Sequence, residues 1–216
     1  MTDYRIAREN MIESQVRPNG ITDHRIIEAM AGLAREDFVP AQRKSIAYVD
    51  EDIELVPGRY LIEAMAFAKL VQLAEIKPGD SVLHVGAASG YGTAVLAKLA
   101  NRVVALESDA GLCGLLRHRV ADLGKVKVVE GPLDAGAASD GPFDVIVVEG
   151  RAGEIPQKLL GQLANDGRLV AVTGEQDVGK AQVWTSHGGS VAVRAAFDAS
   201  VAALPGLAKK RPAFVF

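Results

Sequence analysis

The apolar positions of the chain fall into two textures. From Tyr4 to Val16 they sit at Tyr4, Ala7, Met11 and Ile12, a helical spacing that Pro18-Asn19-Gly20 brings to a stop. Thr22 or Asp23 can cap a second helix with Ile26, Ile27, Met30 and Ala31 on one face, closing before Phe38-Val39-Pro40. Residues 41–58 read as irregular and acidic around Asp50-Glu51-Asp52. RYLIEAMAFAKLVQLAEI then reads as one long, largely buried helix that ends at the Pro78-Gly79-Asp80 turn.

Beyond Asp80 the pattern becomes short and β-rich. SVLHVG, RVVALE, KVKVVE, FDVIVVEG and GRLVAVTG are apolar runs of strand length, and TAVLAKLA, GLCGLLRHRVADL and EIPQKLLGQL between them have helical period. Strands this uniformly apolar, alternating with helices, predict a parallel sheet covered on both faces. AQVWTSH and SVAVRAAF flank Gly188-Gly189, so the sheet should end in an antiparallel hairpin. Trp184 then completes the sheet rather than edging a substrate mouth.

Composition narrows the function classes. A chain of 216 residues, 49% of them apolar, can bury one respectable core. A formal charge of −3 gives no basic surface for nucleic acid. The N-terminus is too charged for a signal peptide, and no apolar run approaches the ~18 residues of a membrane span, so a cytoplasmic protein is expected. Cys113 is the single cysteine and lies on a helical apolar face, which favours core packing over a nucleophile. His24, His84, His118 and His187 lack metal-ligand spacing, and Ser89 lies outside any G-x-S-x-G elbow. No metal is expected.

The candidate chemistry is in HVGAASGYG, His84 to Gly92, where the first strand of the sheet turns into a helix. In open α/β sheets ligands bind at the carboxyl ends of the strands, and small residues there let backbone amides approach them. A dinucleotide loop needs a small residue where Tyr91 stands, so an oxidoreductase is disfavoured; a methyl-donor G-x-G-x-G loop is matched at Gly86 and Gly90, with Ala88 between. If Ala88 must take a positive φ, strain of about 1–3 kcal/mol follows. Glu107 ends the next strand about twenty residues on, where an acidic group accepts from ribose hydroxyls.

VLHVGAASGYGTAVLAKLANRVVALE, with EAMAGLAREDFVP and AYVDEDIELVPG upstream, resembles the protein-L-isoaspartate O-methyltransferases, whose text is of the type VLEIGTGSGYQ and AYxDxxLPIG. The likeness runs from about Met11 to Gly174. It implies a Rossmann-like, seven-stranded, mostly parallel S-adenosylmethionine-dependent methyltransferase sheet (residues 59–216) with an N-terminal helical extension (1–58). The implied activity is methylation of isoaspartyl carboxylates in damaged proteins or of a related acceptor, on a protein or peptide or a small molecule, by a monomer or homodimer.

Carried over, the cofactor residues are His84, Gly86, Ala87, Ala88, Gly90, Glu107, Gly131, Pro132 and Leu133. His84 stands at a family glutamate; its alternative is a strand histidine satisfied by neighbours. Pro132 replaces an aspartate and cannot accept the adenine amine proton. The family loop G-Q-T-I-S-Q-P corresponds to Gly58 to Ala64, so the substrate loop is Tyr60, Leu61, Ile62 and Glu63, with Ile62 at the family serine. Ile62, Ala88 and Pro132 support a second reading, a catalytically silent module acting through protein partners. The closing Ala213 to Phe216 should dock on the body or on a second subunit, and Lys209-Lys210-Arg211 should be a solvated patch.

Overall fold

The computed structural model describes residues 3–208. The basic patch and the apolar tail lie outside them. Helix α1 (Tyr4–Met11) opens under the Asp3 side chain, which accepts from the amides of Arg5 and Ile6. It continues as a π turn over Ile12–Val16 and a 3-10 turn over Arg17–Asn19, and Gly20 stops it in the left-handed region. Helix α2 (His24–Ala31) is capped by Asp23 and buries Ile26, Ile27 and Met30. Tyr48 ties this segment together, its hydroxyl accepting from Arg8 Nε at 3.0 Å and donating to Glu36.

Two expectations for the next segment are corrected. Residues 41–58 are not irregular throughout: Ala41–Ile46 forms a 3-10 helix and Ile53–Val56 forms strand β1. The long helix does not begin at Arg59. Arg59–Leu61 is strand β2, antiparallel to β1, and helix α3 spans only Ala64–Leu73. Gly58, at φ 75°, turns the chain back after Pro57, and pairing with β1 overrides the helical run of apolar residues. At the far end Glu75 adopts φ 48°, which stops α3 before Ile76.

The main sheet has seven strands in the order β5-β4-β3-β6-β7-β8-β9. They are β3 (Ser81–Val85), β4 (Arg102–Glu107), β5 (Val126–Glu130), β6 (Phe143–Ala152), β7 (Leu163–Thr173), β8 (Gly179–His187) and β9 (Ser190–Ala199). The first five pair in parallel, and β8 and β9 add antiparallel strands through the Gly188-Gly189 turn. Trp184 pairs with Leu169 and Val193 inside the sheet, as expected of a strand residue.

Val82, Val103, Val145 and Val147 face a core shared with α3, helix α4 (Tyr91–Leu99) and the N-terminal segment. The alternate residues Leu83, Val85, Ile146 and Val148 face helix α6 (Gln157–Leu160), Leu204 and Leu207 on the other side. Helix α6 is one turn, shorter than its sequence pattern suggests. Helix α5 (Ala110–Arg119) packs Leu116 against Ala87 and Ala105. Cys113 is buried on that helix, and burial, then the Glu107 carboxylate, pushes its thiol up to about 11.

Candidate functional site

The turn out of β3 is set by backbone conformations. Gly86, Ala88 and Gly90 have φ of 79°, 48° and 99°. Gly86 and Ala87 both donate to the Leu106 carbonyl, at 3.0 and 3.1 Å, which folds the loop onto the end of β4. A Cβ at Gly90 would stand 2.7 Å from Leu116, so this glycine is needed both for its conformation and for the approach of α5. Ala88 takes the strained alternative, a left-handed backbone with a side chain attached.

Glu107 has no exposed surface and gathers its donors at one point. Its Oε2 accepts from the Ala88 amide at 2.7 Å, and its Oε1 accepts from the amides of Ser108 and Asp109 at 2.7 and 2.9 Å. Arg59, reaching in from β2, completes the set: Nη1 donates to Oε1 and Nη2 to Oε2 at 2.7 Å. This buried fork-to-carboxylate pair joins residues 48 positions apart. Leu204 lies on the other side of the loop, close enough that a Cβ on Gly86 would be 2.9 Å from its Cδ2. Between Arg59, Ile62, Glu149 and Leu204 a space of only about 10 Å³ remains.

Asp52 fastens both walls. Its Oδ1 accepts from the Glu63 amide at 2.7 Å and its Oδ2 from the Ala202 amide at 2.5 Å, joining the exit of the β1–β2 hairpin to the C-terminal segment. That segment runs along the end of β6, Leu204 donating to the Arg151 carbonyl at 2.8 Å. Burial raises the Asp52 carboxyl above its ordinary value, against the opposing pull of the two amides.

A second polar cluster lies beneath, on the α3/α4 face. His84 Nδ1 is 2.9 Å from Thr93 Oγ1, and Nε2 is 2.8 Å from Glu149 Oε2, though out of hydrogen-bonding alignment. Gly92 is what makes room: any side chain there would collide with Glu149 and His84. Arg35 is fully buried, with its guanidinium 4.9 Å above the Tyr91 ring, and donates to the carbonyls of Ala47 at 2.9 Å and Ile62 at 2.7 Å. Burial pulls the Arg35 guanidinium below its usual range. The backbone at Ile62, in the expected substrate loop, is thus held from inside by a cation.

The expected site residues separate accordingly. Gly86, Ala87, Ala88, Gly90 and Glu107 come together around one point at the ends of β3 and β4. His84 lies below them with both ring nitrogens facing neighbours in the core. Gly131 donates to the Glu107 carbonyl at 3.0 Å, Pro132 is exposed, and Leu133 is buried with Leu106 against the opposite face of the sheet.

Of the expected substrate loop, Leu61 and Ile62 are buried, whereas Tyr60 is half-buried opposite Glu54. Glu63 faces a separate cavity of about 500 Å³ bordered by Asp50, Glu51, Asp52 and Arg151. Burial first, and then Asp50 and Asp52, push Glu63 up to about 7. Sequence reasoning missed Arg59, Asp52, Glu149 and Leu204. Arg59 alone left a trace, as a cation inside the otherwise apolar run from Leu55 to Ile62.

Comparison with known proteins agrees with this architecture. The family model described as protein-L-isoaspartate(D-aspartate) O-methyltransferase matches residues 7–202. A protein-L-isoaspartate O-methyltransferase of Koribacter versatilis is 36% identical over 180 residues, 82% of this chain and 81% of its own. One of Methylorubrum populi is 38% identical over 175 residues, 81% and 82% of the two chains. Among solved structures, a protein-L-isoaspartate O-methyltransferase superposes with a TM-score of 0.79 at 22% identity, covering 93% of this chain and 67% of that one. A Plasmodium falciparum structure described as a putative member in complex with S-adenosyl-L-homocysteine gives 0.78 at 22% identity, covering 95% and 100%. The seven-stranded sheet, the loop after β3 and the extent of these matches identify the chain as a member of the protein-L-isoaspartate(D-aspartate) O-methyltransferase family.

Proposed function

We propose that the protein is an S-adenosylmethionine-dependent methyltransferase that esterifies a carboxylate, with isoaspartyl residues of proteins or peptides as the first acceptor to test. The observation that carries this reading is the left-handed loop Gly86–Gly90 beside Glu107 at the carboxyl ends of β3 and β4, in a chain of this family. Small-molecule acceptors come second. Cytoplasmic residence, as a monomer or homodimer without nucleic acid, fits the composition, and among the described residues no helix is long and apolar enough to cross a membrane.

The residues fit the cofactor in kind but not in the arrangement they hold. Glu107 would take the ribose hydroxyls, the loop from Gly86 to Gly90 the methionine end, and Gly131, Pro132 and Leu133 the border of the adenine; His84 would contribute from beneath. Arg59 and Leu204 stand in that space and must leave it first. When bound, the cofactor supplies a methyl group on a sulfonium. Esterification of an anionic carboxylate needs little acid–base help, so this chain's share is positioning and exclusion of water.

Ile62 is buried and brings no hydroxyl to the acceptor; its carbonyl is held by Arg35. Glu63, pushed up to about 7, is protonated in part of its population at neutral pH and then repels an anionic acceptor less than an ordinary glutamate does. Tyr60 borders the small space by Glu149 and Leu204. We take residues 1–58 as the helical extension that carries the hairpin's first strand, and 59–216 as the methyltransferase domain.

Incubation of the purified protein with radiolabelled S-adenosylmethionine and a matched pair of isoaspartyl and aspartyl peptides tests the reading. Base-labile methyl ester on the isoaspartyl peptide alone is the expected result. Label on neither peptide nor on any protein acceptor would favour the second reading, a catalytically silent member, which the Arg59–Glu107 pair specifically supports.

A further inference from the structure

We infer that Arg59 is an internal occupant of the ribose subsite, so that a nucleoside cofactor binds only by displacing its guanidinium from Glu107. The inference rests on the reading of Glu107 as the ribose acceptor.

A carboxylate offers about four lone-pair sites. Glu107 already receives six donors: the amides of Ala88, Ser108 and Asp109, the Ser108 hydroxyl at 3.4 Å, and both terminal nitrogens of Arg59. The three amides belong to the loop and strand end and leave with neither. Arg59 is the one partner that arrives on a separate element, so it is the partner a ribose can replace.

Strands β1 and β2 form a two-stranded sheet outside the main one, turned at Pro57-Gly58, with Ile53, Leu55 and Leu61 buried in the core and the Arg59 side chain reaching out to Glu107. Its polar fastenings are Arg59 to Glu107 at the inner end, Asp52 to the Glu63 and Ala202 amides at the outer end, and Arg35 to the Ile62 carbonyl from inside. The Ala202 amide is on the segment that carries Leu204 over Gly86, so the two walls of the site share one fastening. Arg59 is also matched to this place in kind. Its planar fork takes both oxygens of a buried carboxylate, which a lysine ammonium cannot do. The Arg59–Glu107 pair therefore competes with ligand, and the apparent affinity falls by the fraction of molecules in which the pair is broken.

The test is calorimetric titration of S-adenosylhomocysteine into the full chain and into Arg59→Ser and Arg59→Lys, each first shown to be folded by near-ultraviolet circular dichroism. Arg59→Ser should bind at least tenfold tighter than the natural protein, with Arg59→Lys between them, because it keeps a cation by Glu107 but loses the paired geometry. If Arg59→Ser does not fold, Arg59→Lys decides alone, and binding tighter than the natural protein is the supporting result. Equal affinity within threefold, or no binding by any folded form at millimolar ligand, overturns the inference. Methyl-ester formation is measured on the same samples. Tighter binding by Arg59→Ser without ester sinks the methyltransferase reading and leaves the displacement intact. Ester from the natural protein, with affinity unchanged in Arg59→Ser, does the reverse.

Discussion

The loop after β3 and the hairpin that reaches over it are built on opposite principles. The loop is local: three left-handed residues within five positions, with Gly86 and Ala87 bonded to Leu106 and a helix starting directly after Gly90. The hairpin is tied down by contacts 48 positions away at Arg59–Glu107 and 150 positions away at Asp52–Ala202. The loop has the shape proposed above for a nucleoside site, and the hairpin brings the Arg59 side chain onto its Glu107. A motif can thus be intact in backbone and still serve an internal partner, because the backbone shape and its occupant are specified by different parts of the chain.

The difference predicts unequal responses to mutation. Glu107→Ala removes the acceptor of three amides and leaves Arg59 charged and buried, so it should destabilise the fold by about 3–5 kcal/mol. Denaturant unfolding gives this value directly. It also means that loss of ligand binding in that variant is interpretable only once its folding has been checked.

Within the loop the response should be smaller and of opposite sign. Ala88 holds φ 48° with a buried methyl, and Ala88→Gly relieves the strain while giving up little packing. A gain of roughly 1 kcal/mol is expected, and an unchanged or lower unfolding midpoint would show that the loop is not strained.

The smallest effect concerns pH. Glu63 is pushed up to about 7 from an ordinary value of 4.5, so the folded state holds its proton more tightly than the unfolded chain. The stability this contributes is complete below about 4.5 and is lost as pH rises through about 7. Relative to Glu63→Gln, the natural protein should lose stability between pH 5 and pH 8. A difference that stays flat across that range removes the shift.

The sequence carried the seven-stranded sheet because its strand cores are near-continuous apolar runs: Val82 to Val85, interrupted only by His84, Val103 to Leu106 and Val145 to Val148 are buried on both faces. It carried the loop and Glu107 because their spacing is local. It misread Arg59 to Ile62 as helix, since an apolar run of that length satisfies either period until the turn at Gly58 and the pairing with Ile53 are known. Arg59 left only the trace of a cation in an apolar run, with no sign of what it pairs with. Its partner is a carboxylate on another strand, and nothing within several residues of Arg59 announces it. Asp52 and Leu204 were hidden in the same way, since their roles exist only where the C-terminal segment returns over the loop.

The central claim, that Glu107 serves Arg59 in the protein as it folds, is tested most directly by a double-mutant cycle. Unfolding free energies of the natural protein, Arg59→Ala, Glu107→Ala and the double variant give the coupling between the two side chains without any ligand. The account predicts a coupling of about 2 kcal/mol or more, since a lone member of a buried pair is costly to keep. Additive effects, with a coupling within about 0.5 kcal/mol of zero, would contradict it and leave the loop open for a nucleoside.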